Sequence, residues 1–247
     1  MAISDDQSDA ADHWRSSADA YIAVQDAGDP SRTVLLDPVM LRLSGDVSGT
    51  RVLDLGCGEG RFCRMLSKRG ARTVGIDATP RMAETAAARD SGGRYALASA
   101  DSLPFADASF GLVVSYVTLV DIARYREAIA ECARVLVPGG RMLVANLSFA
   151  SASPVGREWA LDANGTKLHR RIDHYLSEHR QVFAWSGIRI VNWHRPLQNY
   201  MQAYLGVDLM LREFLEPVPE DESLRDDPWW EDTFRVPNFT VMLWEKA

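Results

Sequence analysis

Val52-Leu53-Asp54-Leu55-Gly56-Cys57-Gly58-Glu59-Gly60-Arg61-Phe62 is the stretch that decides the fold. Val52–Leu55 reads as a buried strand, the glycines as a tight turn, and Arg61-Phe62 as the opening of a helix. Glycines in such a turn let the backbone approach a ligand without Cβ clashes and take dihedrals that other residues avoid. The helix start adds N–H groups with no partner inside the helix. A nucleotide-type ligand at the carboxyl end of a strand fits this pattern. The alternative is an ordinary strand-to-helix turn.

Two ligand types compete for the loop. Dinucleotides are held by G-x-G-x-x-G, with the pyrophosphate on the helix N-terminus. Here the run is Gly56-x-Gly58-x-Gly60, so the third glycine comes one residue early. Asp54, two positions before the first glycine, would repel a pyrophosphate and attract an ammonium, directly or through water. Asp54-x-Gly56-x-Gly58-x-Gly60 resembles the first motif, D-x-G-x-G-x-G, of the class I S-adenosylmethionine (SAM)-dependent methyltransferases. SAM carries an ammonium and no phosphate.

Further blocks follow in order. Val74-Gly75-Ile76-Asp77 is a second strand ending in an acid about twenty residues on, the place of a ribose-binding carboxylate. Thr79-Pro80 then opens a helix, as N-cap and first helical residue. After it come Ala98-Ser99-Ala100-Asp101-Ser102-Leu103-Pro104-Phe105, Ser109–Ser115, and Ala133-Arg134-Val135-Leu136-Val137-Pro138-Gly139-Gly140-Arg141-Met142-Leu143-Val144. With the glycine loop these blocks cover about residues 50–147. They are similar to the small-molecule branch that includes the ubiquinone/menaquinone biosynthesis methyltransferases. Two departures stand out. Ser99 occupies a position that is often Asp or Asn in that branch, and Gly111 stands where Asp is usual.

The resemblance implies a Rossmann-like, seven-stranded, mostly parallel sheet with helices on both faces, and SAM as cofactor. It assigns Gly56, Cys57, Gly58 and Gly60 to the methionine end, Asp54 to its ammonium, and Asp77 to the ribose. Ala78 and Met82 pack near the adenine. For the adenine amino group a serine hydroxyl, the Ala100 N–H and Asp101 are alternatives, with Asp101 and Ala100 favoured; Ser102 and Ser115 join the cofactor set. Tyr21 and Trp14 close over the cofactor. The partner implied is a small-molecule methyl acceptor, with the chain a monomer or homodimer.

Composition narrows the alternatives. The chain has 247 residues, 47% hydrophobic, enough for one α/β domain with decorations. No run of eighteen apolar residues is present, so no membrane span is expected, and the polar, acidic start lacks the pattern of a signal peptide. Cys57, Cys63 and Cys132 suggest neither a disulfide framework nor a zinc site, which fits a reducing cytoplasm. Net charge is −7, whereas nucleic-acid binders carry a basic stripe. Arg64, Lys68, Arg69 and Arg72 cluster at a helix C-terminus, where the macrodipole and solvent account for them. No nucleic-acid partner is expected.

The single domain divides into N-terminal helices (1–45), a SAM-binding core (50–147), an insertion (148–196) and a C-terminal helix with the last strands (197–247). Two helices are predicted over Ala10–Ala27 and Thr33–Leu43. Helix Arg124–Val137 places Ile129, Cys132, Val135 and Leu136 at helical spacing, and Pro138-Gly139-Gly140 turns it into strand Met142–Leu147. The insertion holds Phe149, Trp159, Tyr175, Phe183, Trp185, Trp193 and four of the five histidines. It is too long for a simple loop and is read as the cover of the active site, so an apolar or aromatic acceptor is expected. Ile188–Trp193 alternates like a strand. A helix at Leu197–Leu205, a strand near Met210–Leu215, an acidic loop Glu216–Asp232 and an antiparallel strand Phe239–Trp244 complete the chain.

Methyl transfer from a sulfonium is an in-line displacement that needs alignment and exclusion of water, not an enzyme nucleophile. Tyr116 is a candidate to orient a substrate or contact the methyl; the alternative is a packed aromatic. Asp121 is a candidate general base or metal ligand; the alternative is a helix cap. His174 and His194 are candidate bases for deprotonating an acceptor. His169 and Asp173, at i, i+4, resemble a metal pair but lack a third ligand of matching spacing, so no metal is expected. The competing functions are a non-catalytic SAM-binding or regulatory protein and an NAD-dependent oxidoreductase.

Overall fold

Alternation of apolar strands with amphipathic helices builds a parallel sheet covered on both faces. The computed structural model describes residues 5–148 and 158–247; Phe149 lies outside the described residues. Five parallel strands come first: β1 (Arg51–Leu55), β2 (Arg72–Asp77), β3 (Arg94–Leu97), β4 (Phe110–Tyr116) and β5 (Leu136–Leu147). The last two sheet strands are β10 (Leu209–Leu215) and β11 (Phe239–Lys246). The sheet order is β3-β2-β1-β4-β5-β11-β10, with β11 antiparallel to both neighbours. The final strand is thus antiparallel as predicted, and sits one place in from the edge.

Side chains alternate across the sheet. Val113, Val144, Met242 and Trp244 face one core, which they share with Ile129, Cys132 and Ala133. Leu112, Val114, Leu143 and Val241 face the other, with Leu36, Met40 and Phe62. The helices are α1 (Asp5–Ala27), α2 (Asp37–Ser44), α3 (Arg61–Ser67), α4 (Pro80–Arg89) and α5 (Tyr125–Val135), with a π-helical turn at Ser31–Leu36 leading into α2. Helix Leu197–Leu205 has the predicted bounds.

Local details differ from expectation for physical reasons. β5 starts at Leu136, paired with Phe110, and its next partner pair is Arg141 with Leu112. Pro138-Gly139-Gly140 is therefore looped out of the ladder, with Gly139 at φ 71°. The Thr79 side chain makes no capping bond at α4. Asp77 takes that role, its Oδ1 accepting from the Thr79 N–H at 2.8 Å. The acidic loop contains a 3-10 turn, Glu222–Asp226, and a short helix starts at Glu231.

The segment read as a cover folds, where described, into two separate hairpins. β6 (Trp159–Leu161) pairs with β7 (Lys167–Arg170), and β8 (His179–Trp185) with β9 (Ile188–His194). The first is tied to the short helix Glu231–Arg235, Trp159 Nε1 donating to Asp232 at 2.8 Å and Lys167 Nζ at 2.7 Å. The second packs on α1. Ser17 Oγ donates to the Arg189 carbonyl at 2.8 Å and accepts from its N–H at 2.9 Å. Ala10 packs against Val191 and Trp193. On its other side α1 meets α4 through Ile22 and Met82, Asp19–Arg81 and Asp26–Arg89.

Candidate active site

Strand order reverses between β1 and β4, so the loops after them diverge and leave a crevice at their carboxyl ends, where open α/β sheets bind ligands. α1 roofs this crevice. The resulting cavity encloses about 1140 Å³ of space, its open mouth and the solvent there included.

The glycine loop forms its floor. Gly56, Gly58 and Gly60 have φ of 64°, 54° and 81°, left-handed values that favour glycine. A Cβ on Gly56 would lie 2.2 Å from Thr118 Cγ2, so that position is closed to any side chain. One on Gly60 would lie 2.9 Å from Ala86 Cβ; the third glycine serves packing against α4. Glu59, buried at the loop's tip, accepts from Arg64 at 2.6 Å and Arg89 at 3.0 Å, while Arg64 also donates to its carbonyl at 2.6 Å. The loop is held in shape by ion pairs, and one cation of the cluster assigned to solvent is structural.

Besides Glu59, three aspartates reach the cavity. Asp54 is 2% exposed; its Oδ2 accepts from the Cys63 thiol at 3.3 Å, and its Oδ1 has no partner among the described residues. Burial raises its pKa to about 7. Asp77 accepts from the Gly58 N–H at 2.9 Å as well as from Thr79, and burial raises its pKa too. It is at once the helix cap and the ribose candidate, since each carboxylate oxygen can accept more than one bond. Asp121 accepts from the Asn192 side chain, and burial pushes its pKa well up.

The wall beyond the loop carries residues that pattern reading missed. Arg32, on the π-helical turn, lines the cavity. Its Nη2 donates to the Tyr21 hydroxyl at 2.7 Å, and its guanidinium lies 4.6 Å from the centre of the Tyr116 ring. The Tyr116 hydroxyl donates to Asp37 Oδ1 at 2.8 Å, and Arg61 Nη1 donates to the same atom at 3.0 Å. Phe62 meets Tyr116 edge-on at 5.0 Å. Val117, also on the wall, has φ 57°, a costly value for a β-branched residue. Arg32 left no signal in a motif search because it precedes the first strand and its neighbours are set by the fold.

Of the residues assigned from sequence, Tyr21, Asp54, Gly56, Cys57, Gly58, Asp77, Ala78, Met82, Ala100, Tyr116 and Asp121 line the cavity, with Trp14 and Ser99. Others do not. Asp101 lies behind the wall, accepting from the Ser99 hydroxyl and paired with Arg124 at 3.4 Å, and Ser99 lines the cavity in its place. Ser102 is off the wall, and Ser115 is buried within β4 between β1 and β5. His174 is an exposed turn residue whose side chain is 75% accessible. His194 is buried at the end of β9, its Nε2 2.7 Å from the Tyr175 carbonyl oxygen, and burial lowers its pKa. Neither histidine lines the cavity, because the hairpins dock on α1 and the short helix Glu231–Arg235 and not over the crevice. Among the described residues of the insertion, none lines the cavity; the roof is α1.

Comparison with known proteins concerns the domain and the fold. Residues 53–144 match the family model described as "Methyltransferase domain". The chain is 32% identical over 120 residues to a malonyl-[acyl-carrier protein] O-methyltransferase of Serratia marcescens (49% of this chain, 47% of the relative). It is 34% identical over 110 residues to a demethylmenaquinone methyltransferase of Tropheryma whipplei (43% and 46%). The chain thus spans about half the length of these curated relatives. A SAM-dependent methyltransferase structure from Mesorhizobium loti superposes with TM-score 0.78 at 26% identity, covering 89% of this chain and 99% of that one. No group of metal-ligating side chains occurs among the described residues, and none of their helices is long and apolar enough to cross a membrane. The glycine loop and the two strand-end acids thus fall within the stretch, residues 53–144, that matches the methyltransferase domain model, and the sheet order is that of a fold shared with SAM-dependent methyltransferases of known structure.

Proposed function

We propose that this protein transfers the methyl group of SAM to an oxygen, nitrogen or carbon atom of a small organic acceptor. The observation that carries this reading is the pairing of charges in one cavity. Asp54 Oδ1 is a buried acceptor with no partner among the described residues, and Arg32 offers a guanidinium to the same space. An amino acid zwitterion supplies the ammonium and carboxylate that satisfy both, and the methionine end of SAM is such a zwitterion. Asp77 accepts from the ribose hydroxyls, Met82 and Ser99 face the adenine, and α1 excludes water. When bound, SAM supplies an electrophilic methyl on a cationic sulfur.

The chain's contribution is alignment and a dry, low-dielectric site. Holding acceptor and methyl in line contributes up to roughly 7–11 kcal/mol in ideal cases. The acceptor end mixes aromatic faces (Tyr21, Phe62, Tyr116) with Gln25 and Arg61. Its aromatic surface comes from α1, α3 and β4, not from the insertion, and it suits an acceptor with both a flat apolar part and a polar handle. Calorimetric titration with S-adenosylhomocysteine, with NAD as control, tests the cofactor. Micromolar binding of the former alone is expected; binding of NAD alone would overturn the reading. Labelled SAM with panels of acceptors then tests transfer.

A further inference from the structure

The second hairpin touches the site without lining it. Asn192, on β9, donates its side-chain amide to Asp121, and the Trp14 side chain on α1, which lines the same cavity, favours the ionised form of that carboxyl group. Arg195, at the end of β9, is 1% exposed and grips the Asp121 loop. Its Nη1 donates to the Leu119 carbonyl at 3.1 Å and its Nη2 to those of Ile122 and Ala123, at 2.5 and 3.2 Å. Its guanidinium stacks 4.1 Å from the centre of the Tyr125 ring. A buried cation committed to three loop carbonyls is costly unless the loop's position matters. What that loop delivers is a carboxyl group on the cavity wall.

We propose that Asn192 and Arg195 are positioning residues that hold Asp121 as the proton acceptor of the reaction, so that the methyl acceptor is a hydroxyl or a protonated amine and not a carboxylate. This rests on the SAM reading above. In the step, the acceptor's oxygen or nitrogen forms its bond to the methyl carbon, and the carbon–sulfur bond breaks with its electron pair going to sulfur. The acceptor's proton goes to the Asp121 carboxylate and then to solvent. A carboxylate acceptor has no proton to give and would need no such group. The charged and titratable groups acting on Asp121 are Asp77 from β2, Arg195 beyond β9 and Tyr21 from α1. Burial and Asp77 disfavour its ionised form, whereas Asn192, Trp14, Arg195 and a bound cation favour it.

Calorimetry in two buffers of different ionisation enthalpy counts the protons released when SAM and when S-adenosylhomocysteine bind near neutral pH. Both ligands carry the ammonium that ionises Asp54, but only SAM carries the sulfonium. Extra release with SAM is expected, abolished in Asp121→Asn and diminished in Asn192→Ala. With labelled SAM, phenol, alcohol and amine panels should be methylated and their carboxylate counterparts not. Asp121→Asn and Asn192→Ala should slow kcat roughly 100-fold and alter its pH profile, while S-adenosylhomocysteine affinity stays nearly unchanged. Equal proton release for both ligands in the native protein and in Asp121→Asn would overturn the proposal, as would undiminished turnover in Asp121→Asn. Loss of S-adenosylhomocysteine binding by the native protein would instead strike the cofactor reading, and this proposal with it.

Discussion

Asp54 is a carboxyl group whose pKa, raised by burial to about 7, stands well above the ordinary 3.8. With the folded value above the unfolded one, its contribution to stability is full below about pH 4 and is lost as pH rises through 7. Asp54→Asn should therefore flatten the decline in melting temperature between about pH 4 and about pH 7. The same substitution removes the ammonium's partner and should weaken S-adenosylhomocysteine binding by about 1–3 kcal/mol. In the native protein that affinity should fall as pH drops below about 7, because the carboxyl must ionise to bind; an affinity flat with pH would remove Asp54 from the contact. Gly56→Ala places a methyl against Thr118 at a left-handed φ. It should cost about 1–3 kcal/mol of stability and abolish measurable binding. Asp77→Ala should weaken binding by about 1–3 kcal/mol, and Asp77→Asn, which keeps an acceptor for Thr79, should weaken it with a smaller loss of stability.

At the level of elements, α1 is the roof, held by few groups: the paired bonds between Ser17 and Arg189, the Ala10 and Ile22 contacts, and exposed ion pairs to α4. Exposed pairs contribute little, so α1 should open locally before the sheet does. Amide exchange over residues 10–27 should be fast in the free protein and slow markedly with S-adenosylhomocysteine. Ser17→Ala should cost about 0.5–1.5 kcal/mol per hydrogen bond lost and speed that exchange. Unchanged exchange on ligand binding would show that α1 does not close over the cofactor. Both N-terminal helices, β9 and helix Leu197–Leu205 were legible as elements, because periodicity is a local property. Their docking was not. The aromatics of the insertion looked like a pocket lining, yet Trp159 is taken up by Asp232, Lys167 and Arg235, and Trp193 by Ala10 and Arg195.

For the whole molecule, a ligand seated between the glycine loop, β2, β4 and α1 ties together parts that are far apart in the chain. At a concentration about 100 times its Kd, S-adenosylhomocysteine should add about 2.7 kcal/mol, raising the melting temperature by roughly 5–10 °C for a domain of this size. A scanning calorimetry trace without that shift would contradict a site built on the folded core.

The sheet, its parallel core, the antiparallel last strand and the two strand-end acids of the cavity, Asp54 and Asp77, were all legible in the residue pattern. Those features rest on residues near each other in the chain: alternation within a strand, glycines in one turn, an acid at a strand's end. Only the tertiary structure decided the rest. It brought Arg32 beside Tyr116 and Asn192 onto Asp121, 84 and 71 positions apart, and sent His174 and His194 away from the cavity. It made α1 and not the insertion the roof, because which apolar face meets which is settled by the packing of the whole chain, and no local pattern encodes it.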